Sequence, residues 1–107
     1  MKYFKHLYIS EPLEKKKAKI LRKLDRKKLQ KSVCLLTLPI SKNNQLEIIN
    51  SEILLQPSYP QEELFIVGIA SDYDEVLEMV EGIVQEVLDS TGGLDIRNYI
   101  LKKEQED

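Results

Sequence analysis

The order of hydrophobic patterns along the chain predicts an α/β fold: a small three-layer sandwich on a three-stranded, mostly parallel sheet, with three main helices and a short C-terminal one. Three observations carry this. Short apolar runs alternate with segments of helical period, giving β-α-β-α-β-α and then a closing helix. Two of the runs, VCLLTLPI and LFIVGIA, are apolar at successive positions, as strands buried on both faces are. At 107 residues, one domain with one modest core is the expected organisation. Residues 1–101 form that domain, and 102–107 are expected to fray.

The elements follow in order. Tyr3 to Ile9 (YFKHLYI) is short and rich in aromatic and β-branched residues, a first strand. Ser10-Glu11-Pro12 reads as a helix start, since Ser can cap and Pro is tolerated in the first turn. From Leu13 to Lys28, Leu13, Ile20, Leu21 and Leu24 share one arc, and Lys15, Lys19, Arg22, Lys23 and Arg26 lie opposite, a basic amphipathic helix. Val33 to Ile40 is the second strand, with Pro39 marking its exit. Ser41 to Asn44 forms a polar loop with a cap in Asn43 or Asn44. Leu46, Ile49 and Ile53 recur at helical spacing and predict a second helix to Gln56, although Leu46 to Ile49 also reads as a strand. Pro57 and Pro60 end this element. Leu64 to Ala70 is the strongest strand. Ser71-Asp72 then opens a long helix with Val76, Val80, Ile83, Val84 and Val87 inward and Asp74, Glu75, Glu78, Glu81, Glu86 and Asp89 outward. Gly92-Gly93 stops it, and Asp95 starts a short helix to Leu101.

Right-handed crossovers leave two strand orders. Order 1-2-3 bares one sheet face, which a homodimer would cover most simply. Order 2-1-3, a shortened flavodoxin-like arrangement, covers both faces and suits the two doubly apolar runs. Lys5 and His6 count against it, because it makes their strand central. Order 2-1-3 also sets the basic and the acidic helix on opposite faces.

Charge is the second strong feature. Residues 1–42 hold 13 basic and three acidic residues, a net of +10, and residues 43–107 hold three basic and 15 acidic, a net of −12. The single Cys excludes an intramolecular disulfide and, with no metal-type Cys/His spacing, points to the cytoplasm. Met1 to Pro12 lacks the apolar core of a signal peptide, and Leu64 to Ala70, the longest apolar run, is far short of the ~20 residues a membrane span needs.

Three surfaces are candidates for function. The basic face of Lys15, Lys19, Arg22, Lys23 and Arg26 has the charge of a phosphate footprint. Helix-turn-helix, RRM and KH signatures are missing, however, and the remaining surface is acidic, so nucleic acid ranks below a protein contact or a solvated face. The acidic helix complements that face and makes self-association a further reading. The carboxyl ends of parallel strands would gather Ser10, Ser41, Lys42, Asn43, Asn44, Ser71, Asp72 and Tyr73, together with Glu11, into a rim suited to a small anion. These are also ordinary capping residues. GxGxxG and GxxxxGK[ST] are missing, so no cofactor is expected. Gly68 reads as a site of close helix packing, and Cys34 and His6 as structural. The carboxylates of the acidic helix point outward and form no acid/base pair, and no catalytic or metal-ligating residue is assigned.

HLYIS with its Lys-rich helix, LEIINSEILLQ, VGIASDYDEVLEMVEGIVQEV and TGGLDIRNYI together resemble a family of small uncharacterised proteins of Firmicutes over nearly the whole chain. The resemblance implies a stand-alone bacterial cytoplasmic protein and brings no activity, cofactor or catalytic residue. The expected function is thus a non-enzymatic cytoplasmic binding or protein-interaction module. The alternatives are a small-ligand or anion-binding protein, conceivably a minor enzyme, at the strand carboxyl rim, and nucleic-acid binding through helix 13–28.

Overall fold

The computed structural model describes residues 1–28, 30–39 and 45–106. Strand β1 (Lys2–Ile9) leads through a 3₁₀ segment (Glu11–Lys16) into helix α1 (Lys17–Asp25). Strands β2 (Cys34–Leu38) and β3 (Glu47–Asn50) follow, then 3₁₀ turns at Ser51–Leu55 and Gln61–Glu63. Strand β4 (Phe65–Ala70) and helices α2 (Tyr73–Thr91) and α3 (Ile96–Gln105) complete the chain.

The sheet has four strands in the order β1-β4-β2-β3. Only β1 and β4 pair in parallel, while β2 is antiparallel to both β4 and β3. This corrects the expected three-stranded, mostly parallel sheet of order 2-1-3. The difference originates at residues 46–56, expected to be a helix. Glu47–Asn50 is instead an edge strand paired with β2, from Cys34 opposite Asn50 to Thr37 opposite Glu47. The chain then tightens into the 3₁₀ turn, capped by the Asn50 side chain, which accepts from the Glu52 N–H at 2.9 Å. Of the residues at helical spacing, Ile49 and Ile53 face the α1-side core while Leu46 packs against the opposite one, so the spacing does not mark one helix face. Because β2 and β3 form a hairpin, the chain re-enters the sheet at β4 alongside β1.

The two doubly apolar runs are the two inner strands. Leu35, Leu36, Ile66, Val67, Ile69 and Ala70 are all 0% exposed. On one face α2 and α3 bury Val76, Ile83, Val87, Ile96 and Ile100 against Phe4, Leu36, Val67 and Ala70. On the other, Ile20 and Leu24 of α1 and Leu54 pack against Leu35, Ile49, Ile66 and Ile69. The basic and acidic helices therefore occupy opposite layers, although the strand order differs from the one that predicted it. Lys5 and His6 lie in an edge strand, not a central one. The β1–β4 register slips between Tyr3 and Tyr8, and the Lys5 and His6 side chains within that stretch are exposed.

Gly68 sits at a bulge in β4: Leu36 pairs with Gly68 and Thr37 with Ile66, leaving Val67 as the extra residue. A Cβ at Gly68 would lie 2.5 Å from the Met79 sulfur of α2 and 3.3 Å from the Tyr8 carbonyl oxygen, so the glycine permits close helix packing. Gly92, at φ 75°, ends α2 in the left-handed conformation. Asp95 caps α3, accepting from the Asn98 N–H at 3.2 Å. Helix α3 continues past Leu101 to Gln105, and Glu104 accepts from the Lys5 N–H at 2.7 Å. The last turn, expected to fray, is thus tied to β1.

Gly68→Ala should cost about 1–3 kcal/mol in urea unfolding, and its combination with Met79→Ala should cost less than the sum of the two single changes. Ser51 is buried and makes a two-way tie to Val33: its N–H donates to the Val33 carbonyl and its Oγ accepts from the Val33 N–H, both at 2.9 Å. Ser51→Ala orphans that N–H and should cost about 1–3 kcal/mol by the same measurement.

Candidate functional site

Parallel strands would bring all three carboxyl ends to one rim. Antiparallel β2 prevents this, because its Cys34 end lies beside Ala70 and its Leu38 end beside Phe65. Ser41, Lys42, Asn43 and Asn44 lie outside the described residues. Ser10 and Ser71 do meet: the Ser10 hydroxyl does not cap its own helix but accepts from the Ser71 N–H at 3.1 Å. Asp72 caps α2, accepting from the Glu75 N–H at 2.9 Å, and the Ser71 hydroxyl donates to the Glu75 carboxylate. With Asp74 and Glu75 in the first turn, the helix terminus is already neutralised by its own carboxylates. Ser10 also borders a depression flanked by Glu11, Glu75, Glu78 and Glu86, which repels an anion. Tyr73 is exposed beside the cap.

A more coherent site lies on the α1 layer. The 3₁₀ start has about three residues per turn and brings Lys16 into the column of Leu13. Helix α1 then directs Ile20 and Leu24 inward and carries Lys19 and Lys23 along the same side as Lys16. At the helix end Lys27 adopts φ 52° and the Lys28 N–H donates to the Lys23 carbonyl at 2.9 Å, so the chain doubles back toward β2. Between this returning segment and α1 is a groove of about 340 Å³. Pro12, Leu13, Ile20 and Val33 give it an apolar floor, and Lys16, Lys19, Lys23 and Lys31 give it a cationic rim, with Gln30 and Ser32 as neutral polar groups and Ser71, whose donors are taken by Ser10 and Glu75, at its border. Lys23 also borders a shallow adjoining cleft with Lys27 and Lys28.

Glu52 also lines the adjoining cleft, but among the described residues no carboxylate pairs with the rim within 4.0 Å. Among the described residues the ion pairs within 4.0 Å are Lys2–Glu104 and Lys103–Glu86, both remote from α1. Asp25, the acid within α1, accepts from the Tyr3 hydroxyl at 2.9 Å. Of the expected basic face, Lys19 and Lys23 line the groove, while Lys15, Arg22 and Arg26 are exposed outside it. Lys16 and Lys31 are groove residues that an α-helical wheel does not select, because one stands in the 3₁₀ segment and the other follows the helix.

The sequence also gave no sign of a polar cluster around Glu86. This carboxylate was expected on the outer face of its helix, yet one oxygen accepts from Tyr8 at 2.8 Å and from Tyr99 at 2.6 Å. Lys103 lies 3.6 Å from the same oxygen and over the Tyr99 ring. Burial would raise the Glu86 pKa, but the bonds from Tyr99 and Tyr8 and the Lys103 charge outweigh it and hold the carboxyl below its ordinary range. Burial, reinforced by Glu86, keeps Tyr8 protonated well above its ordinary range. The cluster is a strut between β1, α2 and α3, with its acceptor filled. Burial likewise pushes the Cys34 thiol up, away from a reactive thiolate. Among the described residues no group of three His, Cys, Asp or Glu side chains is placed to hold a metal ion, and no helix is long and apolar enough to cross a membrane.

No protein-family model, curated protein or solved structure matches the chain.

A carboxyl held below its unfolded pKa stabilises the fold above that unfolded value, and the contribution is lost as pH falls through the folded pKa. Glu86→Gln should therefore destabilise the protein most near neutral pH, with the difference from wild type shrinking below about pH 4 in urea titrations. Tyr99→Phe, which removes one bond to the ionised group, should cost about 1.5–3 kcal/mol at neutral pH.

Proposed function

We propose that the protein is a non-enzymatic interaction module that binds an acidic segment of a partner protein through the α1 layer. The observation that carries this is the groove beside α1: four lysines on an apolar floor, with no carboxylate in ion-pair contact among the described residues. An apolar floor under a cationic rim suits a peptide that alternates carboxylates with apolar side chains. No aromatic side chain lines the groove, so the stacking platform typical of single-strand readers is not offered there. The polar groups around Ser10, Ser71 and Glu86 are committed to caps and struts, which supports binding over catalysis. A single Cys and the resemblance to small Firmicutes proteins fit a bacterial cytoplasmic setting.

Nucleic-acid binding is the second reading, and one observation favours it. The acidic helix lies on the far side of the sheet from α1, in a molecule whose shortest extent is 28 Å. That exceeds the ~8 Å Debye length at physiological salt, so the acidic layer does not repel a polyanion at α1.

Anisotropy titrations with a labelled acidic-apolar peptide and a single-stranded RNA of equal length distinguish the two. The peptide should bind at about 50 mM salt and weaken toward 200 mM. Lys19→Glu with Lys23→Glu should lower its affinity roughly tenfold or more, and Arg22→Glu with Arg26→Glu less. Tighter binding of RNA would replace the first reading with the second, and binding of neither at low salt would remove both.

A further inference from the structure

The opposite layer carries a surface that the α1 reading does not use. Helix α2 has two flanks beside its buried stripe. One carries Met79 and Glu86, which meet Gly68, Tyr8 and Tyr99, so this flank is closed by β1 and α3. The other carries Tyr73, Leu77, Val80, Val84 and Leu88, spaced four, three, four and four residues apart. Tyr73, Leu77 and Leu88 are 54%, 41% and 42% exposed, and Val80 and Val84 are half-buried. This is one continuous apolar stripe, about 22 Å long at a rise of about 1.5 Å per residue. Beside it α3 packs on β1 and α2 on β4 and β2, and Ile48 of β3 is half-buried at the margin of the same core.

The charges along the stripe identify what fits. Asp74, Glu78 and Glu81 stand exposed on its solvent side, and none is in an ion pair among the described residues. A second copy of α2 would set one acidic row against another. Helix α1 of a second copy has the complementary charge but has spent Ile20 and Leu24 in its own core. A partner helix with its own apolar stripe and flanking Lys or Arg meets both requirements. We propose that the exposed flank of α2, with the adjoining face of β3, is a docking surface for a basic amphipathic helix of a partner protein. The surface lies across the sheet from the lysine groove, so the proposal stands or falls independently of the α1 reading.

The test uses the full chain and a labelled synthetic peptide of about 18 residues, with Leu at helical i, i+3/i+4 and i+7 positions and Lys on both flanks. A scrambled peptide of equal charge serves as the control. The Leu-patterned peptide should bind saturably and at least roughly tenfold tighter than the scrambled one. Leu77→Glu with Leu88→Glu, both at exposed positions, should abolish that preference while the circular dichroism spectrum stays unchanged. Glu78→Lys with Glu81→Lys should weaken binding and flatten its salt dependence, whereas Lys19→Glu with Lys23→Glu should not weaken it. Equal binding of the two peptides, or insensitivity to Leu77→Glu with Leu88→Glu, would overturn the proposal. So would concentration-dependent dimerisation that Leu77→Glu abolishes, since the occupant would then be a second copy.

Discussion

Two adjacent strands that cannot face water on either side set the terms for this fold. In β4 and β2 nearly every side chain is fully buried, from Leu35 and Leu36 to Ile66, Val67, Ile69 and Ala70. Exposing any one of the larger ones would forfeit about 1.5–3 kcal/mol, so both sheet faces must be covered. Neither strand can then lie at an edge, which leaves the edges to β1, with Lys5 and His6, and to β3, with Glu47. The helices divide between the faces, and the bulge at Val67 and Gly68 sets α2 hard against β4. The polar ties lie around this slab: Ser51 to Val33 holds one layer, and Tyr8, Tyr99 and Lys103 on Glu86 hold the other.

The same slab separates the charges. A net charge of −2 describes neither surface of the molecule. With α1 and α2 on opposite sides of the sheet, their outer faces are further apart than salt screening allows charges to act in solution. Each layer therefore presents its own field, cationic around Lys19 and Lys23 and anionic around Glu78 and Glu81. On the two proposed readings, partners of opposite charge would engage the domain without either disturbing the other.

The sequence made the strongest elements legible because their signals were redundant. LFIVGIA and VCLLTLPI combine apolar runs with β-branched residues, and helix α2 has both a long apolar stripe and terminal signals at Asp72 and Gly92. At Leu46 to Gln56 the strand alternative for Leu46 to Ile49 prevails over the helix, because Leu46, Ile49 and Ile53 stand at helical spacing but face two different cores. That one element carried the strand count, the antiparallel pairing and the loss of a shared carboxyl rim. In the candidate site, Lys19 and Lys23 were visible by helical period. Lys16 and Lys31 were not, since a 3₁₀ start and a reversal at Lys27 place them by non-helical geometry. Glu86 was hidden because its partners come from the two ends of the chain, at Tyr8 and Tyr99.

The lysines of α1 are not arranged for the benefit of the helix. Lys19 and Lys23 within α1, and Arg22 with the C-cap Arg26, each stand four residues apart, and a like-charge pair at that spacing costs about 0.2–0.5 kcal/mol. Carboxylates placed between them would remove the repulsion, yet Asp25 is engaged by Tyr3, and Glu11 and Glu14 stand ahead of the α-helical turns. The packing of Ile20 and Leu24 holds the segment in place regardless. Stability alone thus gives no reason for a row of cations bordering an apolar groove. An anionic partner supplies one, because the repulsion that weakens the free helix is relieved when the opposite charge arrives, and that relief adds to the affinity.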